Sequence, residues 1–183
     1  GAVRHGAEFA QRAADLGAVA IVTDESGADR AAHTGLPVIV VDDPRAQLGA
    51  LSAWVYGTDA DMPTLLGITG TNGKTSVSHL VEGMLAALGV VTGLSSTAER
   101  HIAGQIVASR LTTPEASEMH ALLAVMRERG VEAAMVEVSA QALTRHRVDG
   151  LVFDVAGFTN LTHDHLDDYG DMATYLAAKL SLF

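Results

Sequence analysis

The chain has 183 residues, 48% of them hydrophobic and 19% charged, which is enough apolar surface for a buried core and too little charge for a disordered chain. Its 12 basic and 22 acidic side chains leave a net charge of −10, which excludes the basic footprint of non-specific nucleic-acid binding but allows a locally basic pocket for a small anion. There is no cysteine, so disulfide scaffolds, thiolate zinc sites and cysteine nucleophiles are excluded together.

No apolar run approaches the roughly 18 residues of a membrane span, and the first ten residues do not read as a signal peptide, so the expectation is a cytoplasmic protein. Ala7–Leu16 reads as a helix stopped by Gly17. Residues 18–23 (AVAIVT) and 37–41 (PVIVV) are short runs rich in Val and Ile, as in buried parallel strands. Asp42, Asp43 and Pro44 supply a cap and a first-turn proline for a helix reaching Tyr56. The polar stretch 57–63 (GTDADMP) is the expected linker.

The alternation then restarts. Leu65–Thr69 reads as a strand, followed by a glycine-rich turn and a helix from about Thr75 to Leu88. Residues 90–94 suggest a strand, with a hairpin around Gly104, and Pro114 opens a helix that runs to Arg129. Residues 133–138 and 151–159 read as strands, and 172–183 as a helix. Such alternation predicts a doubly wound, mostly parallel α/β sheet. Because the pattern begins mid-alternation and ends within a helix, the chain reads as part of a longer protein.

Three strand ends carry the chemistry. The first is GITGTNGKT, residues 67–75. A glycine turn between strand and helix lets backbone N–H groups surround phosphate oxygens; Lys74 would neutralise the outer phosphates and the Thr75 hydroxyl would ligate magnesium. The strict phosphate-loop spacing asks for glycine where this chain has Ile68, with Gly67 and Gly70 flanking it. The second is Glu137, a carboxylate near the end of an apolar strand, suited to Mg²⁺ or, equally, to local pairing. The third is the loop 160–168 (NLTHDHLDD), where His163, Asp164, His165 and Asp168 either ligate a cation or form a solvated surface. The loop lacks the spacing of a zinc site, so magnesium or a phosphate contact is expected there. Lys179 stands on the inward face of the last helix with Tyr175 and Leu176, where a lysine ordinarily snorkels its head into water.

In this order, ITGTNGKTS, LTTPEA, VEVSAQAL with HRVDG, FTNLTHDHLDDYGDM and YLAAKLSLF resemble the Mur ligases, most closely their MurE type. HGAEFAQRAADLGAVAIVTD and PVIVVDDPRAQLGALSAWVYG look like that family's UDP-binding domain. The resemblance implies a partial N-terminal UDP-binding α/β domain over residues 1–60 and a partial central ATP-binding domain over 64–183, with the family's C-terminal domain absent. It implies an ADP-forming ligase that joins a diamino acid to UDP-MurNAc-L-Ala-D-Glu through an acyl phosphate in peptidoglycan synthesis. The cofactors implied are ATP and Mg²⁺; the protein would be a monomer, and this piece alone inactive.

By the same resemblance, Gly70, Thr71, Asn72, Gly73, Lys74, Thr75 and Ser76 bind ATP, and Thr75 with Glu137 holds a first magnesium. His165 and a carbamylated Lys179 hold a second, and Lys74, His165 and Lys179 serve catalysis. Thr112, Thr113, Ser139, Arg145 and Arg147 line up with residues that contact the nucleotide-sugar peptide, arginine being suited to bidentate binding of carboxylates and phosphates. The family usually reads EVSSHAL where this chain has Ala140 and Gln141, and Arg145 stands where glutamine is common. Competing readings are a MurF-like, folylpolyglutamate or cyanophycin synthetase-like sister ligase, an ATP-binding module without ligation, and a simple phosphate-loop kinase.

Overall fold

The computed structural model describes residues 4–109 and 111–183, in which two runs of strand and helix succeed one another. In the first unit, which ends at Gln47, a 3₁₀ turn at Gly6–Phe9 leads into α1 (Ala10–Asp15). Strands β1 (Ile21–Thr23) and β2 (Val38–Val40) pair in parallel, with α2 (Glu25–Ala31) between them. The sequence pattern did not announce α2, because a glycine lies within its first turn. That glycine is a packing requirement. A Cβ on Gly27 would stand 2.0 Å from Thr23 Oγ1 and 2.5 Å from His5 Cε1. Asp24 caps the helix by accepting from the Gly27 N–H at 2.8 Å.

Helix α3 (Pro44–Tyr56) starts at the expected proline, its first turn capped by Asp43, which accepts from the N–H groups of Arg45 and Ala46. The division between the two units falls inside α3, after Gln47, and not at 57–63. The polar stretch is not a free linker, for a definite reason. Thr58 is buried with its hydroxyl 2.5 Å from His120 Nδ1, and the Arg127 guanidinium donates to the carbonyls of Tyr56 and Gly57.

The second unit (Leu48–Phe183) holds a six-stranded sheet. Its elements are β3 (Thr64–Thr69), α4 (Lys74–Ala87), β4 (Thr92–Ser95), β5 (Glu99–Ile102) and β6 (Gln105–Ala108). They continue with α5 (Ala116–Glu128), β7 (Ala133–Glu137), α6 (Ala140–Thr144), β8 (Val155–Phe158), α7 (Leu166–Tyr169) and α8 (Met172–Leu180). The strand order is β6-β5-β4-β7-β3-β8. The four strands from β4 to β8 run parallel, and β5 and β6 add the antiparallel hairpin expected around Gly104.

Strand β7 is buried along its whole length, flanked on both edges, which is why AAMVE reads as a continuous apolar run up to its final glutamate. Its side chains pack with Met119, Leu122, Leu123 and Met126 of α5 in the main core. The chain enters the sheet at β3, crosses to β4, returns to β7 and then passes to β8 on the other side of β3. This reversal of direction opens a crevice beyond the carboxyl ends of β3 and β7, where α/β sheets bind ligands.

Candidate functional site

At the end of β3 the chain turns through Gly70 and enters α4 from Gly73, which has φ +84° and no side-chain cap. The N–H groups of the first helical turn therefore lack intrahelical partners and face outward with the positive end of the helix dipole. Ile68 occupies the place of the missing phosphate-loop glycine without distortion, because it is still a strand residue paired with Glu137. The close approach happens at Gly70 instead. Its φ is +141°, and a Cβ there would stand 1.9 Å from Thr159 Oγ1.

The turn is fastened to the segment following β8. Thr71 N–H donates to Asn160 O at 2.9 Å, and Asn72 N–H to Asn160 Oδ1 at 3.0 Å. The carbonyl of Asn72 accepts from Thr159 Oγ1 at 2.7 Å and Asn160 Nδ2 at 3.0 Å. The Thr162 N–H donates to Thr71 Oγ1 at 3.1 Å.

Two lysines meet behind this turn. Lys74 Nζ donates to Gly70 O at 3.0 Å and to Thr71 O at 2.8 Å, while Lys179 Nζ donates to the same Gly70 O at 2.7 Å. Lys179 is 1% exposed and lies 4.4 Å from the centroid of the Tyr175 ring. The expected snorkelling does not occur, because α8 packs its inward face beneath the glycine turn and leaves the ammonium no path to water. Burial pulls the Lys179 pKa down to about 8, against a smaller upward pull from Asp164. Lys74 is also lowered, first by burial and then by the charge of Lys179, with Glu137 pulling the other way.

Glu137 is fully buried at the end of β7. Its Oε2 accepts from Thr97 Oγ1 at 2.9 Å, and Thr97 Oγ1 in turn lies 2.9 Å from Thr112 Oγ1. Its Oε1 has no partner, nor do the buried hydroxyls of Thr69 and Ser95 on the adjoining strands. A carboxylate oxygen buried without a donor suits a cation, so the residues present fit a magnesium ion. Thr113 lies beneath, its hydroxyl donating to Glu137 O at 2.8 Å and accepting from the Ser139 N–H at 3.2 Å.

An open cavity of about 540 Å³ lies over this rim. It is lined by Thr71, Asn72, Gly73, Lys74, Thr75, Thr97, Leu111, Thr112, Ser139, Gln141, Arg145, Arg147, His165 and Asp168. The sequence-expected residues are thus largely brought together. Gly70, Thr113, Glu137 and Lys179 stand behind the wall, and Ser76 does not line it. Arg147 reaches Glu115 at 2.8 Å and donates to Thr113 O at 3.3 Å, whereas Arg145 lies 3.9 Å from Asp168. His165, in the left-handed region at φ +53°, is half-exposed on the cavity edge, with its ring centroid 6.0 Å from that of Tyr175. Of the other loop candidates, Asp168 accepts from Gln141 Nε2 at 3.2 Å, while His163 is exposed and outside the cavity lining.

Sequence reasoning missed Thr97, Asn160 and Thr162, and named Tyr175 only as a neighbour of Lys179. Asn160 and Thr162 lay inside a segment already singled out, but their neighbours' charges drew the attention. Thr97 had no signal, because it matters only through partners from two other elements.

A family model described as the Mur ligase middle domain matches residues 68–183. A UDP-N-acetylmuramyl-tripeptide synthetase of Leifsonia xyli subsp. xyli is 62% identical over 98% of this chain and 35% of its own length. A UDP-N-acetylmuramoyl-L-alanyl-D-glutamate–2,6-diaminopimelate ligase of Streptomyces avermitilis is 52% identical over 100% of this chain and 36% of its own. A solved structure of a ligase with that same description superposes at a TM-score of 0.71 and 22% identity, covering 89% of this chain and 37% of the other, a likeness of fold. The chain spans about a third of the length of the curated relatives it matches.

Two outcomes test this geometry. Gly70→Ala forces the turn away from Thr159, and urea denaturation should show a loss of folding stability of about 1–3 kcal/mol. Lys179 binds its proton in the unfolded chain up to about pH 10.5 but in the folded one only up to about 8, so folding stability should rise with pH across that window. In CO₂-free buffer, urea denaturation should show this rise in the wild type relative to Lys179→Met.

Proposed function

Since the chain belongs to the Mur ligase family, we propose that it forms part of an ATP-dependent ligase that joins a diamino acid to the D-glutamyl γ-carboxylate of UDP-MurNAc-L-Ala-D-Glu. The observation that carries this reading is the pair of lysines converging on Gly70 O beside a buried carboxylate, next to the uncapped N-terminus of α4. Two ammonium groups so close repel one another, and the most direct relief is an anion. A triphosphate on the helix N-terminus supplies it, with Lys74 turning from the loop carbonyls to the outer phosphates. The names of the relatives, at up to 62% identity, supply the substrate class.

The chemistry proceeds in two steps. A γ-carboxylate oxygen attacks the terminal phosphorus of ATP, the bond to the bridging oxygen breaks, and ADP departs. The amine of the diamino acid then attacks the acyl carbon; it loses a proton, the tetrahedral intermediate collapses, and inorganic phosphate leaves. Lys74 and the N–H groups of the α4 first turn stabilise the charge on the transferring phosphoryl group. Arg147 and Arg145 orient anionic parts of the nucleotide-sugar peptide, Thr112 and Ser139 offer hydroxyls, and Thr113 holds the Glu137 backbone in place from behind the wall. Orientation of this kind lowers the barrier without a covalent intermediate on the protein.

Bound magnesium would supply neutralisation of phosphate charge, with Thr75 and Glu137 holding one ion and His165 and Lys179 a second. For Lys179 this requires a carbamate. The neutral amine nitrogen bonds to the carbon of CO₂, one proton leaves, and the side chain becomes an anion that keeps one N–H for Gly70 O. Conversion of the charge from positive to negative removes the repulsion with Lys74. The reaction draws on ATP in the cytoplasm, and we assign it to a monomer.

The complete protein should release phosphate only when UDP-MurNAc-L-Ala-D-Glu and a diamino acid are both present, and Lys74→Ala should slow release about 10²- to 10³-fold. ATP binding without substrate-dependent release would instead mark a nucleotide-binding module. With ¹³C-bicarbonate, the wild type should give a carbamate carbonyl signal by NMR that Lys179→Met lacks; its absence from the wild type would overturn the carbamate.

A further inference from the structure

A second cluster of titratable side chains lies between α4 and the β5 strand, and the ligase chemistry leaves it unused. His79 and Glu82 are three residues apart on α4 and share a helix face, while Glu99 and His101 are two apart on β5 and share a sheet face. The two ring planes meet edge to face with centroids 5.6 Å apart.

Hydrogen bonding determines the tautomer of each ring. His79 Nδ1 lies 2.8 Å from Thr75 O, and a carbonyl can only accept, so Nδ1 carries the hydrogen. His101 Nδ1 lies 2.8 and 2.7 Å from the two oxygens of Glu82, again acceptors when the carboxylate is ionised. In the neutral rings both Nε2 atoms therefore present lone pairs. Both lie near one atom: Glu99 Oε1 is 3.4 Å from His79 Nε2 and 3.0 Å from His101 Nε2. His101 Nε2 is buried and, despite that proximity, makes no aligned hydrogen bond.

Two nitrogen lone pairs and a carboxylate oxygen facing one another are repulsive unless a cation, either a proton on one ring or a metal ion, lies between them. We propose that His79, Glu99 and His101 form a binding site for a first-row transition-metal dication of the Zn²⁺ class, distinct from the nucleotide cleft. The three ligand atoms lie within 4.8 Å of one another. Tetrahedral zinc at roughly 2.0–2.1 Å from each ligand places neighbouring ligand atoms about 3.3 Å apart, which brackets well with the two separations to Glu99. Two imidazoles and one carboxylate favour zinc, cobalt or nickel over magnesium or calcium, which take oxygen ligands. Glu82 and the Thr75 carbonyl hold the far sides of the two rings, as outer partners of metal-bound histidines do, and Thr92 Oγ1 lies 3.4 Å from Glu82 Oε1. A bound ion would tie the first turns of α4 to the β5–β6 hairpin.

The test uses the full-length protein in buffer with excess MgCl₂, titrated calorimetrically with ZnCl₂ and spectroscopically with CoCl₂. One Zn²⁺ per chain should bind in the presence of magnesium, and Co²⁺ should give the visible ligand-field bands of a tetrahedral site. His79→Gln and His101→Gln should each weaken Zn²⁺ binding by more than about tenfold, and Glu82→Gln by about tenfold through loss of ring orientation. Glu137→Gln and the exposed His33→Gln should leave it unchanged, with circular dichroism reporting that each variant is folded. Absence of Zn²⁺ binding by the wild type, or undiminished binding by folded His79→Gln, would overturn the proposal.

Discussion

One carbonyl oxygen organises the second unit. Gly70 O accepts from two lysines that arrive from opposite ends of the unit's sequence, 2.7 and 3.0 Å away. Keeping one ammonium group wholly and a second partly away from water is costly, and they also repel each other, so the surrounding structure must hold them there. It does so by seating α8 under the turn, stitching the turn to residues 159–162, and setting the Glu137 carboxylate nearby. The turn has to be glycine because the stitching brings the Thr159 hydroxyl to where a Cβ would lie. A local excess of positive charge inside a chain of net charge −10 is thus an imposed feature of this rim.

The parallel sheet makes such a rim possible. With β4, β7, β3 and β8 all pointing the same way, Thr97, Glu137, Gly70 and Asn160 follow the ends of four neighbouring strands. None needs a long loop to reach the others. The pattern also explains the division of labour by depth. Ser95 and Glu137, the last residues of β4 and β7, are buried, whereas Ser139, two positions beyond β7, and Thr112 and His165, further along their loops, line the cavity.

The placement of the ion-binding candidates follows the same depth rule. Glu137 offers one oxygen to Thr97 and leaves the other unpaired within the wall, so a cation there completes an existing shortage. The His79–Glu99–His101 group is different, because it lies on the face of the sheet covered by α4 and not at the rim. It is linked to the rim through Thr75, whose backbone carbonyl holds the His79 ring and which itself lines the cleft, and through Ser96, whose hydroxyl bonds the Glu99 backbone.

The amino-acid sequence by itself determined the order and type of the long elements, since periodicity, glycine stops and proline starts are local properties of α4, α5, β3 and β7. It also marked GTNGKT, Glu137 and the NLTHDHLDD loop, because a charged or glycine-rich break in an apolar run is visible without any partner. The short helices α2, α6 and α7, the buried state of Lys179, the role of Thr97 and the assignment of 57–63 to the second unit were decided only by tertiary structure. Lys179 shows why. Its spacing placed it on the inward face, but whether an inward lysine snorkels or stays buried depends on what lies above it, and the covering turn is more than a hundred residues away in sequence.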